Sequence, residues 1–151
     1  VRSSLIRNLI KEGDIKKASE LLGRNYVVGG EVIEGKKRGK IIGFPTANIK
    51  PEKKLLPPSG IYAVWAYYQG NILPAVVNIG YSPTFHDKTF SVEVYILDFS
   101  QDIYHHHLKI SFVEKLRDEK EFSGPEELAS QIEKDIEKAK KILKTPPEDL
   151  F

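Results

Sequence analysis

Hydrophobic and polar positions change period twice along this chain. Leu5, Ile6, Leu9 and Ile10 form one apolar stripe at helical spacing, and Ile15, Ala18, Leu21 and Leu22 form a second. Gly13-Asp14 interrupts them, with Asp14 placed to cap the second helix, and Gly23-Arg24-Asn25 ends the section. From Tyr26 onward β-branched and aromatic residues dominate short runs: Tyr26 to Ile33, Ile61 to Tyr68, Ile72 to Ile79, Phe90 to Phe99 and Leu108 to Val113. Turn signals separate them at 35–43, 57–60, 69–71, Ser82-Pro83 and 100–102. Strands joined by short turns without intervening helices predict an antiparallel sheet or barrel. Ile61 to Tyr68 is apolar on both faces, so at least one strand is covered on both sides. After Arg117 the helical period returns. Ser123 and Glu126 fit a capping box around Pro125, and Leu128, Ile132, Ile136, Ala139 and Leu143 make a stripe that packs on the barrel. Pro146-Pro147 stops that helix.

Composition narrows the picture. The 151 residues are 40% hydrophobic and 29% charged, as expected of a globular domain with a real core. No run is long enough to span a bilayer as a helix. The absence of cysteine excludes disulfides, thiolate metal sites and a cysteine nucleophile, and is compatible with a reducing cytoplasm. A net charge of +2 is small for a dedicated nucleic-acid-binding domain. Val1 opens the chain and methionine is absent throughout, which reads as a piece of a longer protein.

Candidate chemistry begins at Gly43-Phe44-Pro45-Thr46-Ala47-Asn48. Pro45 holds Phe44 extended. In an extended run Thr46 and Asn48 share a face, offering two neutral oxygens to a hard cation that takes its other ligands from water and phosphates. A turn cap at Thr46 with an Asx-turn at Asn48 is the plain alternative. Upstream, Gly35, Gly39 and Gly43 alternate with Lys36, Lys37, Arg38 and Lys40, a pattern suited to backbone amides approaching an anion, or to a solvated hairpin loop. Residues 30–36 match GxxxxGK spacing, but Lys37 stands where a phosphate loop needs a hydroxyl, and no helix follows. Glu93 is a lone carboxylate in the strand from Phe90, where Val92, Val94 and Ile96 share one face, Glu93, Tyr95 and Leu97 the other, and Asp98 returns to the first. It is either a general base on a rigid strand or an exposed outer residue. His105 and His107 would share a strand face, with no carboxylate or cysteine nearby at a recognised ligand spacing, and an exposed turn is the favoured reading over a metal site. Tyr62, Trp65, Tyr67, Tyr68, Phe85, Tyr95 and Phe112 could stack on flavin or bases, though most of them fit a core.

In this order, several segments resemble the riboflavin kinases, in particular the kinase domain of the bacterial bifunctional riboflavin kinase/FMN adenylyltransferases (FAD synthetases). They are residues 29–35, 39–49, 56–64, 75–80, 83–85, 92–99 and 116–122. The resemblance implies an all-β fold, a six-stranded antiparallel Greek-key barrel with a C-terminal helix and a short helical N-terminal segment. It implies a cytoplasmic, Mg²⁺-assisted transfer of the ATP γ-phosphate to the ribityl 5′-hydroxyl of riboflavin, giving FMN and ADP. Glu93 matches the catalytic base. Thr46 and Asn48 match the metal ligands, and with Gly35, Gly39, Lys40, Gly43 and Pro45 they form the nucleotide site. Arg117, Asn78 and Phe85 fall at the flavin site. Lys40 replaces a usual arginine, and His105 stands where the family has glycine after the tyrosine of a turn.

Residues 1–7 are similar instead to the end of an adenylyltransferase domain, where a serine pair and an arginine hold ATP phosphates near a helix start. The implied boundary leaves 1–22 as the tail of that upstream domain and 23–151 as the kinase domain. The implied partners are small-molecule substrates and the upstream domain, not nucleic acid or membrane, and the 151-residue chain is expected not to make FAD. Two other readings stand beside this one: a non-catalytic barrel that binds flavin or single-stranded nucleic acid through its aromatics, and a structural module serving the upstream domain.

Overall fold

The computed structural model describes residues 2–33, 43–53, 55–83, 88–99 and 101–147. Two helices come first, α1 (Arg2–Glu12) and α2 (Ile15–Leu22). The break between them lies where Gly13-Asp14 predicts it, and Asp14 caps α2 by accepting a hydrogen bond from the Lys17 amide at 3.2 Å. Their apolar stripes belong to the strands' core rather than to a separate one: Ile10, Ile15 and Ala18 are buried together with the barrel's inner residues.

Six strands then form a closed antiparallel barrel: β1 (Tyr26–Ile33), β2 (Ala47–Pro51), β3 (Gly60–Tyr68), β4 (Asn71–Pro83), β5 (Lys88–Ile96) and β6 (His107–Arg117). Around the wall the order is β1-β2-β5-β4-β3-β6, so β3-β4-β5 is a meander and β2 and β6 reach their neighbours across the barrel ends. Alternation along each strand sends one set of side chains inward. Val28, Val32, Ile49, Tyr62, Val64, Val77, Ile79, Val92, Val94, Leu108, Ile110 and Phe112 fill the interior. The opposite set on β3 is apolar too, and a helix explains why: α3 (Pro125–Ile142) lies on the outer wall, and Ala139 and Leu143 pack with Ile61, Ala63, Trp65, Val76, Leu97 and Leu116. Register shifts between β3 and β6 at Ile61/Tyr62 and Ala63/Val64 give β6 extra residues there, which bends it at this contact.

Three details differ from the pattern-based expectations. Ser82-Pro83 is not a turn, because β4 runs on through both and pairs Ser82 with Thr89 and Pro83 with Lys88. The strand from Phe90 stops at Ile96, so Asp98 does not return to the inner face; it sits in a turn with φ 55°. The cap of α3 is displaced by one residue: Gly124 is the N-cap, and the Ser123 amide and hydroxyl both donate to Glu127 rather than Glu126.

Candidate functional site

The barrel's register assembles the site. Asn48 on β2 lies directly opposite Glu93 on β5, and Glu93 lies directly opposite Asn78 on β4. Directly paired residues point to the same face, with Cβ atoms ~4.5–5.5 Å apart. Val92 and Val94 point inward on either side of Glu93, as do Val77 and Ile79 around Asn78, so all three polar side chains stand on the outer wall. The same row continues through Ile61 on β3 to Arg117 on β6. Four of the candidate residues, contributed by four strands far apart in sequence, therefore share one line around the barrel.

Thr46 enters from the β2 end. The Phe44 ring meets the Tyr95 ring edge-on at 5.6 Å between centroids, and Tyr95 is the next outward residue of β5 after Glu93. Thr46 lies one residue before β2, between Phe44, whose ring meets Tyr95, and Asn48, opposite Glu93. Gly43, just before this run, has φ 89°, a backbone conformation that favours glycine. Pro45 is exposed and stiffens the approach. Gly35, Gly39, Lys40 and Phe85 lie outside the described residues.

The polar groups here are incompletely paired. Asn48 is 7% exposed, and its Oδ1 accepts a long hydrogen bond from the Ser91 hydroxyl at 3.5 Å. Asn78 Oδ1 is enclosed and, among the described residues, accepts no hydrogen bond. Leaving such an acceptor unmade costs about 1–3 kcal/mol, and in native proteins such sites call for a functional explanation. A hydroxyl and two carboxamide oxygens beside a carboxylate form a hard-oxygen donor set, which fits Mg²⁺ that keeps its remaining ligands as water and phosphate. Among the described residues no group of three or more His, Asp or Glu side chains forms a cage for a metal by itself.

Glu119 carries no signal of its own in the sequence, where it reads as part of the charged run 117–121. In space its Oε1 lies over Gly80, where a Cβ would come within 3.0 Å of it. Gly80 is the next outward residue of β4 after Asn78 and pairs with Ser91. Burial raises the Glu119 carboxyl above the usual carboxylate range, the Glu93 charge adds to this, and Arg117 opposes it. The spatial signal is a glycine in an outward strand position beside a candidate base; one-dimensional pattern cannot show which loop fills that notch.

Arg117 does not project freely into the site. Its guanidinium is held by Asp135 of α3 in a two-point ion pair, Nε to Oδ1 at 2.9 Å and Nη2 to Oδ2 at 2.8 Å. Nor are the histidines without carboxylates: His105 Nδ1 meets Glu31 at 3.2 Å and His107 Nε2 meets Glu52 at 2.7 Å, partners brought together only by the fold. His105 keeps the turn geometry expected of glycine by adopting φ 68°. Tyr62, Trp65, Tyr68 and Phe112 are buried, which removes them as stacking platforms.

A cavity of about 490 Å³ lies elsewhere, between α1 and the β1 and β6 wall. It gathers Ser3 and Arg7 with Arg24, Lys53 and Lys109, and none of Asn48, Asn78, Glu93 or Arg117 lines it.

Residues 22–143 match the family model for flavokinase, that is, riboflavin kinase. The chain belongs to the riboflavin kinase family. It is 44% identical over 143 residues to the bifunctional riboflavin kinase/FMN adenylyltransferase of Bacillus subtilis, covering 92% of this chain and 45% of that protein. The chain thus spans about half the length of the curated relatives it matches. Among solved structures it resembles one described as a macrolide-efflux protein from Streptococcus pneumoniae, with a TM-score of 0.89 and 33% identity over 91% of this chain and 46% of that one. It also resembles riboflavin kinase from Trypanosoma brucei, with a TM-score of 0.58 and 24% identity over 80% of each chain, a likeness of fold. The barrel with its C-terminal helix is thus the architecture of this family. No described helix is long and apolar enough to cross a membrane.

Proposed function

We propose that this chain phosphorylates the ribityl 5′-hydroxyl of riboflavin from ATP, giving FMN and ADP. The observation that carries the reading is the Asn48–Glu93–Asn78 row: a carboxylate fixed on a rigid strand between two carboxamides, one with an unused acceptor, in a chain of the riboflavin kinase family.

Phosphoryl transfer depends mainly on positioning and on neutralising charge. Thr46 and Asn48 would hold Mg²⁺, which supplies charge neutralisation at the ATP phosphates. With Gly43 and Pro45 they form the nucleotide end of the row. Glu93 accepts the proton of the attacking hydroxyl, and its place on β5 keeps the carboxylate from following the substrate's motion. Asn78 supplies the next acceptor along the wall and orients the sugar-like chain. Arg117 marks the flavin end. The helices at 1–22 are read as the tail of an upstream adenylyltransferase domain, of the kind named in the relatives' descriptions.

The test is FMN formation from riboflavin, ATP and Mg²⁺ by the purified chain, set beside Glu93→Gln. General-base catalysis contributes typically ~10²–10⁴-fold, so the variant should retain ligand binding and lose turnover by that order. Binding without turnover in the wild-type chain would select the non-catalytic flavin module, and undiminished turnover in Glu93→Gln would remove the base assignment.

A further inference from the structure

The middle of α3 carries a feature that packing does not require. Asp135 is 5% exposed, one residue before Ile136 on the apolar stripe that faces the barrel. A carboxylate there is costly unless paired and hydrogen-bonded, and a buried ion pair stabilises a fold little more than apolar groups of the same shape would. What this pair supplies is direction. Asp135 takes both edges of the Arg117 fork, at 2.9 Å and 2.8 Å, and Gln131 donates to Asp135 Oδ1 at 3.1 Å, so the carboxylate itself is held from one helical turn away. The remaining guanidinium nitrogen donates to the carbonyl of Asp118 at 3.0 Å, and the Arg117 charge lies 5.8 Å from the centre of the Phe122 ring. The fixed guanidinium therefore also organises the start of the loop that lays Glu119 over Gly80, next to the Glu93 row.

Position along the row identifies which substrate this affects. Thr46 and Asn48 occupy the β2 end, and Arg117 stands at the other end of the row, four strands along it on β6. Glu93 and Asn78 lie between. We propose that Asp135 is a positioning residue for the acceptor end of the site: by fixing Arg117 and the 118–122 loop it sets riboflavin binding while leaving the nucleotide end untouched. This rests on the riboflavin kinase reading and assigns α3 a part in acceptor recognition beyond covering the barrel.

Steady-state kinetics with riboflavin and ATP·Mg²⁺ varied separately test it, with thermal melting recorded alongside. Asp135→Asn should raise KM for riboflavin about tenfold or more and leave KM for ATP within about twofold. Arg117→Lys keeps the charge and loses the fork, so Asp135→Asn added to Arg117→Lys should change KM for riboflavin no further. Asp135→Glu keeps charge balance but advances the carboxylate by one methylene; it should raise KM for riboflavin while melting near the wild type, which covers the case in which Asp135→Asn does not fold. An active wild type whose Asp135→Glu variant has unchanged KM for riboflavin, or whose Asp135→Asn and Arg117→Lys effects multiply independently, overturns the inference alone. A wild type that forms no FMN removes the kinase reading and this inference with it.

Discussion

The outer wall of the barrel has two neighbouring regions built by the same rule and put to different use. Under α3, the outward residues Ile61, Ala63, Trp65, Val76, Leu97 and Leu116 form a second core. One step further around, the outward residues are Asn48, Ser91, Glu93 and Asn78. β4 contributes to both, Val76 to the first and Asn78 to the second, two residues apart. Strand alternation decides only which residues face out. Whether an outward residue becomes core or site depends on what a distant element covers. The covered region is satisfied by packing; the open one retains an acceptor with no partner among the described residues.

The covered region can be broken most severely. Trp65, 5% exposed between β3 and α3, fills more of that second core than any aliphatic neighbour. Trp65→Ala should lower unfolding free energy by about 3–5 kcal/mol in urea denaturation, with FMN formation per folded molecule kept near the wild type. A loss under about 1 kcal/mol would show that α3 is not anchored there.

The open region should answer in the opposite sense. Asn78→Val removes the unmade acceptor and puts an apolar side chain on the same wall. Stability should hold or rise by about 1 kcal/mol, because the penalty of an unpaired buried acceptor disappears, while FMN formation falls ~10²-fold or more, the lower part of what one positioned polar group contributes. Lost stability with intact kinetics would mean that Asn78 is a structural residue and that the contrast between the regions is false.

This division also separates the residues legible in the sequence from those that are not. Inner residues such as Val92 and Val94, the Asp14 cap and the α3 stripe are set by period and local hydrogen bonding, which act over a few residues. Glu93 stands out because a lone charge between apolar neighbours conflicts with its surroundings. Ser82-Pro83 misleads because proline reads as punctuation, yet it can end a strand where its missing N–H faces away from the ladder. Glu119, Asp135 and the partners of His105 and His107 cannot be read, since each is defined by a contact with a residue distant in sequence: Gly80, Arg117, Glu31 and Glu52. A charged residue in a charged run carries no local sign of which distant residue it will meet.

A smaller effect separates strain from pairing in the turn that leads into β6. His105 holds φ 68° in the turn that Asp102 braces by accepting from the Tyr104 amide at 3.0 Å. The left-handed conformation costs a non-glycine residue roughly 1–2 kcal/mol, and the exposed contact with Glu31 returns at most ~1 kcal/mol. His105→Gly should therefore raise unfolding free energy by about 0.5–1 kcal/mol. A fall in stability would show that the His105–Glu31 contact outweighs the strain.

The finest measurement bears on whether the open region is one electrostatic unit. Glu119 is raised above the ordinary carboxylate range by burial first and by the Glu93 charge second, against the pull of Arg117. A carboxyl whose pKa is higher folded than unfolded binds its proton more tightly in the native state. Its contribution therefore favours folding below the unfolded value, declines as pH rises between the two, and is a constant small penalty above the folded value. Exposure keeps that penalty small. A carboxyl-carbon NMR titration should find the Glu119 midpoint above that of a solvated glutamate, and Glu93→Gln should lower it, because one of the two causes is gone while Arg117 remains. A midpoint that does not move in that variant would mean that the two carboxylates do not sense each other, and the loop over Gly80 would then cover the wall without joining the site.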